Sequence, residues 1–91
     1  MRSIIVTDHA HDRWEERADH SSVAGPQIAW FQGEEITVQH GLNGDEVRYH
    51  APSETVLVRR NALIVTVIDA VDGAKPRLRG ALAAVRGGER R

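Results

Sequence analysis

Cysteine is absent from these 91 residues, so neither a disulfide framework nor thiolate chemistry is available. That absence fits a cytoplasmic protein, the location we expect. Lysine occurs once against eleven arginines, a bias of composition that keeps arginine richness from being an argument by itself. Aromatic side chains are four, Trp14, Trp30, Phe31 and Tyr49, and the core must therefore be mainly aliphatic. Long apolar runs are missing too: Ile4, Ile5 and Val6 give way to Thr7 and Asp8, too few for a signal-peptide core or a membrane span. No Gly-x-Gly-x-x-Gly, phosphate-binding loop or Gly-x-Ser-x-Gly occurs, so nucleotide and serine-hydrolase readings have no support and no cofactor is expected. His9 with His11 or Asp12 offers metal donors, but side chains two apart on a helix diverge and no paired-ligand spacing exists; no metal is expected.

The most informative stretch is Asn61 to Ala70, where Ile64, Val65, Thr66, Val67 and Ile68 are β-branched in succession. Such side chains are stiff at χ1 and suit a pleated sheet better than a helix. Strict alternation would turn Leu63, Val65 and Val67 one way and Ile64, Thr66 and Ile68 the other. Both sets are apolar, which predicts an inner strand covered on both sides.

Around it the chain reads in order. A strand over 3–6 leads into Thr7 and Asp8, both good helix caps, and a helix over 8–19 carries Ala10, Trp14 and Ala18 on one face. Beside them His9, Arg13, Glu16, Arg17 and His20 form a polar stripe. Ser21 or Ser22 could cap a second helix, but Gly25-Pro26 places that helix from Pro26 to Gln32, stopped by Gly33. Ile28, Trp30 and Phe31 should close over the same sheet face as Trp14. Period-two patterning predicts strands from Glu35 to His40, Glu46 to His50 and Thr55 to Arg59, with Asn43-Gly44 and Arg60-Asn61 as hairpin turns. Arg77 to Arg86 can form a helix presenting Leu78, Leu82 and Val85, and Gly87 to Arg91 should be disordered. The prediction is a single α+β domain over 1–72, in the order β-α-α-β-β-β-β, with two helices on one face of a mainly antiparallel sheet. A basic C-terminal segment, 73–91, comes after it, partly helical or disordered.

The two parts differ in charge. Residues 1–72 hold six arginines against twelve carboxylates, a balance of −6, whereas residues 73–91 carry +5. A basic tail on an acidic body can neutralise phosphates or dock on the body itself. If Val47 and Tyr49 face the two helices, Arg48 and His50 face an open side, joined there by Thr37 and Gln39, while strand parity from Val56 and Val58 leaves the side of Arg59 open. Gln39, Arg48, Arg59 and neighbouring Arg60 would then bind phosphate or carboxylate, because guanidinium groups offer a planar fork of donors. His50, with an ordinary pKa of about 6.5, could exchange a proton beside them.

The run His9-Ala10-His11-Asp12-Arg13-Trp14-Glu15-Glu16-Arg17 resembles the His-Ala-x-x-Arg-x-x-Glu-Arg helix start of small domains related to the RelE/ParE toxin superfamily. Arg48-Tyr49-His50, Thr55-Val56-Leu57-Val58 and Leu63 to Ile68 are similar to that superfamily's terminal strands, so the resemblance covers 3–70. It implies a compact domain whose open sheet face contacts nucleic acid, as in members that cut messenger RNA on the ribosome, and an antitoxin-like protein partner. By position, Arg48 and His50 would be catalytic, and Arg48 and Arg59 would contact phosphate. The chain departs from the active pattern in lacking a lysine on these strands, in its acidic body, and in Tyr49, which should point toward the helices. Two readings stand: an interaction module that pairs with a protein partner or with itself, and an RNA-binding endoribonuclease.

Overall fold

The computed structural model describes residues 4–17, 25–37, 40–70 and 76–88. Among these residues eight elements succeed one another in chain order: β1 (Ile5–Val6), α1 (Asp8–Arg17), α2 (Pro26–Gln32), β2 (Glu34–Glu35), β3 (Glu46–His50), β4 (Thr55–Arg60), β5 (Leu63–Asp69) and α3 (Pro76–Gly88). The strands lie in the order β1-β5-β4-β3-β2. β2 to β5 form an antiparallel meander, and β1 adds to β5 in parallel. The predicted α+β order therefore holds, with a mixed sheet. Ala18, His20, Ser21, Ser22, Val38 and Gln39, to which the sequence pattern gave roles, lie outside the described residues, as do 71–75 and 89–91.

Local chemistry sets the element ends. Thr7 caps α1: its Oγ1 accepts the Ala10 amide at 3.1 Å while donating to the Ile64 carbonyl. One side chain thus satisfies a free helix amide and ties the helix start to β5. Pro26 opens α2, where its missing N–H costs nothing. Gly33 ends α2 in extended backbone rather than the left-handed form, and the need for glycine is spatial. A Cβ there would sit 3.1 Å from both the Ala29 carbonyl and the Arg48 Cβ.

Two apolar clusters sandwich the sheet. Ile4, Ala10, Trp14, Ala29, Trp30, Leu57, Ile64 and Val67 pack between α1, α2 and one face. Ile36, Val47, Tyr49, Val56, Val58 and Ala70 pack against Leu78, Ala81 and Leu82 of α3 on the other. Here the expectation from sequence needs correction: Val47 and Tyr49 face α3, not α1 and α2, and the Arg48 and His50 side, expected to be open, lies under α2. The physical reason is the apolar stripe of α3, whose Leu78, Ala81 and Leu82 are buried with Val47, Tyr49, Val56 and Val58. This helix also continues through Gly88, past the point where disorder was expected.

Three smaller departures share one origin, local patterning overridden by packing. Strict alternation fails in β5, because the register slips between Val58 and Arg59 and leaves Val65 without an opposite residue. The bulge sends Ile64 and Val67 to the α1–α2 side while Val65 and Ile68 meet the α3 cluster. Ile28 and Phe31 are exposed, and only Trp30 of the expected trio is buried. Pro26, Ala29 and Trp30 already define the buried face of a seven-residue helix. Asn43-Gly44 is not a hairpin turn: Glu35 pairs with Arg48 and the Ile36 amide reaches the Val47 carbonyl, leaving a long connection to β3. Gly44 instead lies against β4, where a Cβ would meet Val58 Cγ1 at 2.5 Å. Asn61 does take the left-handed conformation, at φ 56°, in a turn one residue later than expected. Among the described residues no helix is long and apolar enough to cross a membrane.

Candidate functional site

Three charged residues meet where β3 and β4 pair beneath α2. Glu46 stands directly opposite Arg59, and Arg48, two residues along β3, projects to the same side. The Glu46 carboxylate accepts from Arg48 Nε at 2.6 Å and from Arg59 Nη2 at 3.3 Å, so one anion bridges two cations. Arg48 is fixed further: its guanidinium lies 4.3 Å from the centroid of the Trp30 ring, and its Nη1 donates to the Trp30 carbonyl at 2.8 Å. Arg59 also donates to the Asn61 carbonyl. Half-burial makes these charge-assisted bonds stronger than their surface equivalents.

Around this trio a groove of about 240 Å³ is lined by Ile4, Trp30, Phe31, Glu46, Arg48, Arg59 and Ala62. Phe31 is 54% exposed at its lip. The groove combines an aromatic and aliphatic wall with two guanidinium groups and one carboxylate, so it can pair an anion with an apolar body.

His50 belongs to a different arrangement. Its side chain is 1% exposed, with Nε2 2.9 Å from Gln32 Oε1 and Nδ1 2.6 Å from Ser53 Oγ. Because an amide oxygen only accepts, Nε2 carries the proton, and Nδ1 accepts from the Ser53 hydroxyl and backbone amide. Ser53 Oγ meets Thr55 Oγ1 at 2.7 Å, closing a chain of buried polar groups. Burial holds the His50 pKa below its ordinary value by disfavouring the charged imidazolium. The ring thus ties the end of α2 to the turn between β3 and β4.

The structure accordingly brings Arg48 and Arg59 together but separates them in kind from His50, whose two nitrogens are committed. Arg60 is exposed on the hairpin beside them, and Gln39 lies outside the described residues. Sequence reasoning missed Glu46, although its place two residues before Arg48 and opposite Arg59 was legible once the hairpin was paired. It also missed Trp30, Phe31, Gln32 and Ser53 as neighbours, which only the seating of α2 on β3 could show. No group of three or more His, Asp or Glu that could hold a metal occurs among the described residues. A second groove, of about 650 Å³, lies between Arg17, His40, Gly41, Leu42, Ile68 and the start of α3.

A mixed five-stranded sheet behind two N-terminal helices, with a polar groove at the α2 corner, defines a small α+β domain. The family model described as "Putative RelE superfamily toxin domain" matches residues 6–71, from β1 through β5, and the chain belongs to that family. Its function is toxin-like in that general sense, and α3 lies beyond the matched span. No curated protein and no solved structure matches the chain.

Proposed function

We propose that this toxin-type domain acts by binding a protein partner, an antitoxin-like chain or a second copy of itself, and does not cleave RNA. The observation that carries this reading is the Glu46 carboxylate shared by Arg48 and Arg59. An arginine pair whose charge is half neutralised by a resident carboxylate is poorly suited to a polyanion. It is well suited to a single charged contact within a protein interface, where arginine and aromatic residues concentrate. His50, neutral and bonded at both nitrogens, has no proton-transfer path to the groove among the described contacts. In this reading residues 1–72 form the recognition domain, and the basic 73–91 segment supplies the helix that covers its second face. A cytoplasmic location fits the absence of cysteine.

The endoribonuclease reading keeps one favourable observation. Arg48 and Arg59 line the same groove as Trp30 and the exposed Phe31, a combination that can hold a phosphate and stack a base. Arg48 and His50 would then act on the RNA, with Arg59, Arg60 and Gln39 on its phosphates. Induced expression separates the two. Binding alone predicts continued growth with intact transcripts and co-purification of a partner or a dimeric mass in native mass spectrometry. Growth arrest with cleaved messenger RNA, abolished by Arg48→Ala with His50→Ala, would establish the nuclease instead.

A further inference from the structure

We infer that the groove at the α2 corner holds one carboxylate of the protein partner, borne on a segment with an apolar side chain beside it. This assignment rests on the binding reading above and names the chemistry the partner must bring. Charge is the first argument. Two guanidinium groups against the Glu46 carboxylate leave one positive charge unmatched, and a single carboxylate completes the set as an alternating four-member network.

Hydrogen-bond capacity agrees. Arg48 uses Nε and Nη1, and Arg59 uses Nη1 and Nη2. Arg48 Nη2 and Arg59 Nε therefore have no partner among the described residues. The Arg48 guanidinium is already held by the Trp30 ring and carbonyl, so a ligand need not immobilise it. Arg59 holds Glu46 more loosely, at 3.3 Å, and keeps its Nε for an incoming anion.

Size and lining argue for a side chain rather than a metabolite. At about 240 Å³ the groove falls below the usual range of small-molecule pockets, about 300–1,000 Å³. Ile4, Ala62 and the exposed Phe31 offer an apolar neighbour to the guanidinium pair. The chain's own C-terminal segment is an unsuitable occupant, since residues 73–91 carry +5. RNA is disfavoured by the −6 balance of residues 1–72 and by the carboxylate inside the groove.

The test is an NMR titration of the full-length ¹⁵N-labelled protein with three probes. These are acetyl-Gly-Leu-Asp-Leu-Gly-amide, the same peptide with Asn in place of Asp, and a six-residue oligouridylate. The aspartate peptide should shift the Arg48 and Arg59 Nε–H resonances and the Phe31 amide saturably, and the asparagine peptide should bind at least tenfold more weakly. Arg59→Gln should abolish that discrimination, whereas Phe31→Ser, at an exposed position that leaves the fold intact, should weaken both peptides alike. Equal binding of the two peptides, shifts confined to other residues, or tighter binding of the oligouridylate at these resonances would overturn the assignment. Partner binding or self-association undiminished by Arg59→Gln would also overturn it while leaving the binding reading in place. RNA cleavage with the peptide preference intact would overturn that reading and spare the groove.

Discussion

Arg48 and Trp30 are joined twice, by a guanidinium 4.3 Å from the indole centroid and by a 2.8 Å bond from Nη1 to the Trp30 carbonyl. The same carbonyl accepts the Gly33 amide, so the last turn of α2 is closed by its own chain and by β3 together. Arg48→Lys should lower stability by about 1–3 kcal/mol, because an ammonium keeps the charge but loses the planar fork. Urea denaturation checks this, and an unchanged midpoint would show the stacking to be energetically idle.

His50 gives the fold a pH dependence of known sign. Its folded pKa lies below that of the unfolded chain, about 6.5, because burial disfavours the imidazolium. The unfolded chain therefore takes up the proton first. The contribution is intact above about pH 6.5 and is lost as pH falls through the folded pKa, at no more than about 1.4 kcal/mol per pH unit. His50→Gln should be less stable at pH 7.5 yet lose less between pH 7.5 and 5.5 than the parent. Parallel pH profiles for the two proteins would remove His50 as the cause.

Helix α3 carries a glycine, Gly80, in its interior, where a Cβ would meet nothing within 4 Å. Gly80→Ala should raise stability by about 0.5–1 kcal/mol through reduced backbone freedom in the unfolded chain. Leu82→Ala, on the buried stripe, should lower it by about 2–5 kcal/mol. Ending the chain after residue 72 would uncover Val47, Tyr49, Val56 and Val58 together. That protein should aggregate on expression, readable as loss of the monomer peak in gel filtration.

Among the described residues two that are not glycine hold positive φ, Glu54 at 55° and Asn61 at 56°. Asn tolerates that conformation and Glu does so poorly. Glu54→Gly should therefore gain up to about 1 kcal/mol, while Asn61→Val should lose about 1–2 kcal/mol. Thermal melts of the two variants should shift in opposite directions.

The boundaries of most elements were legible, whereas β2, expected from Glu35 to His40, spans only Glu34–Glu35. Pro26 and Gly33 bracket α2 where proline lacks a donor and where glycine alone fits, and the β-branched run of β5 could be nothing but a strand. The sides of the sheet were not legible. Tyr49 and Val47 had to face some helix, but alternation says only that they face together, never which helix receives them. The site suffered the same ambiguity: Arg48 and His50 share a side, yet α2 rests on that side, trapping one against Trp30 and burying the other against Gln32 and Ser53.

Residue chemistry along the chain settled the order of strands and helices and the strand that is covered on both sides, because propensity, capping and periodicity act within a few residues. Tertiary packing alone decided that α3 roofs the far face and that α2 seats Trp30 over Arg48. Those outcomes depend on which apolar surfaces meet and which charges are thereby brought within bonding reach, and such distances exist only once the chain has closed on itself.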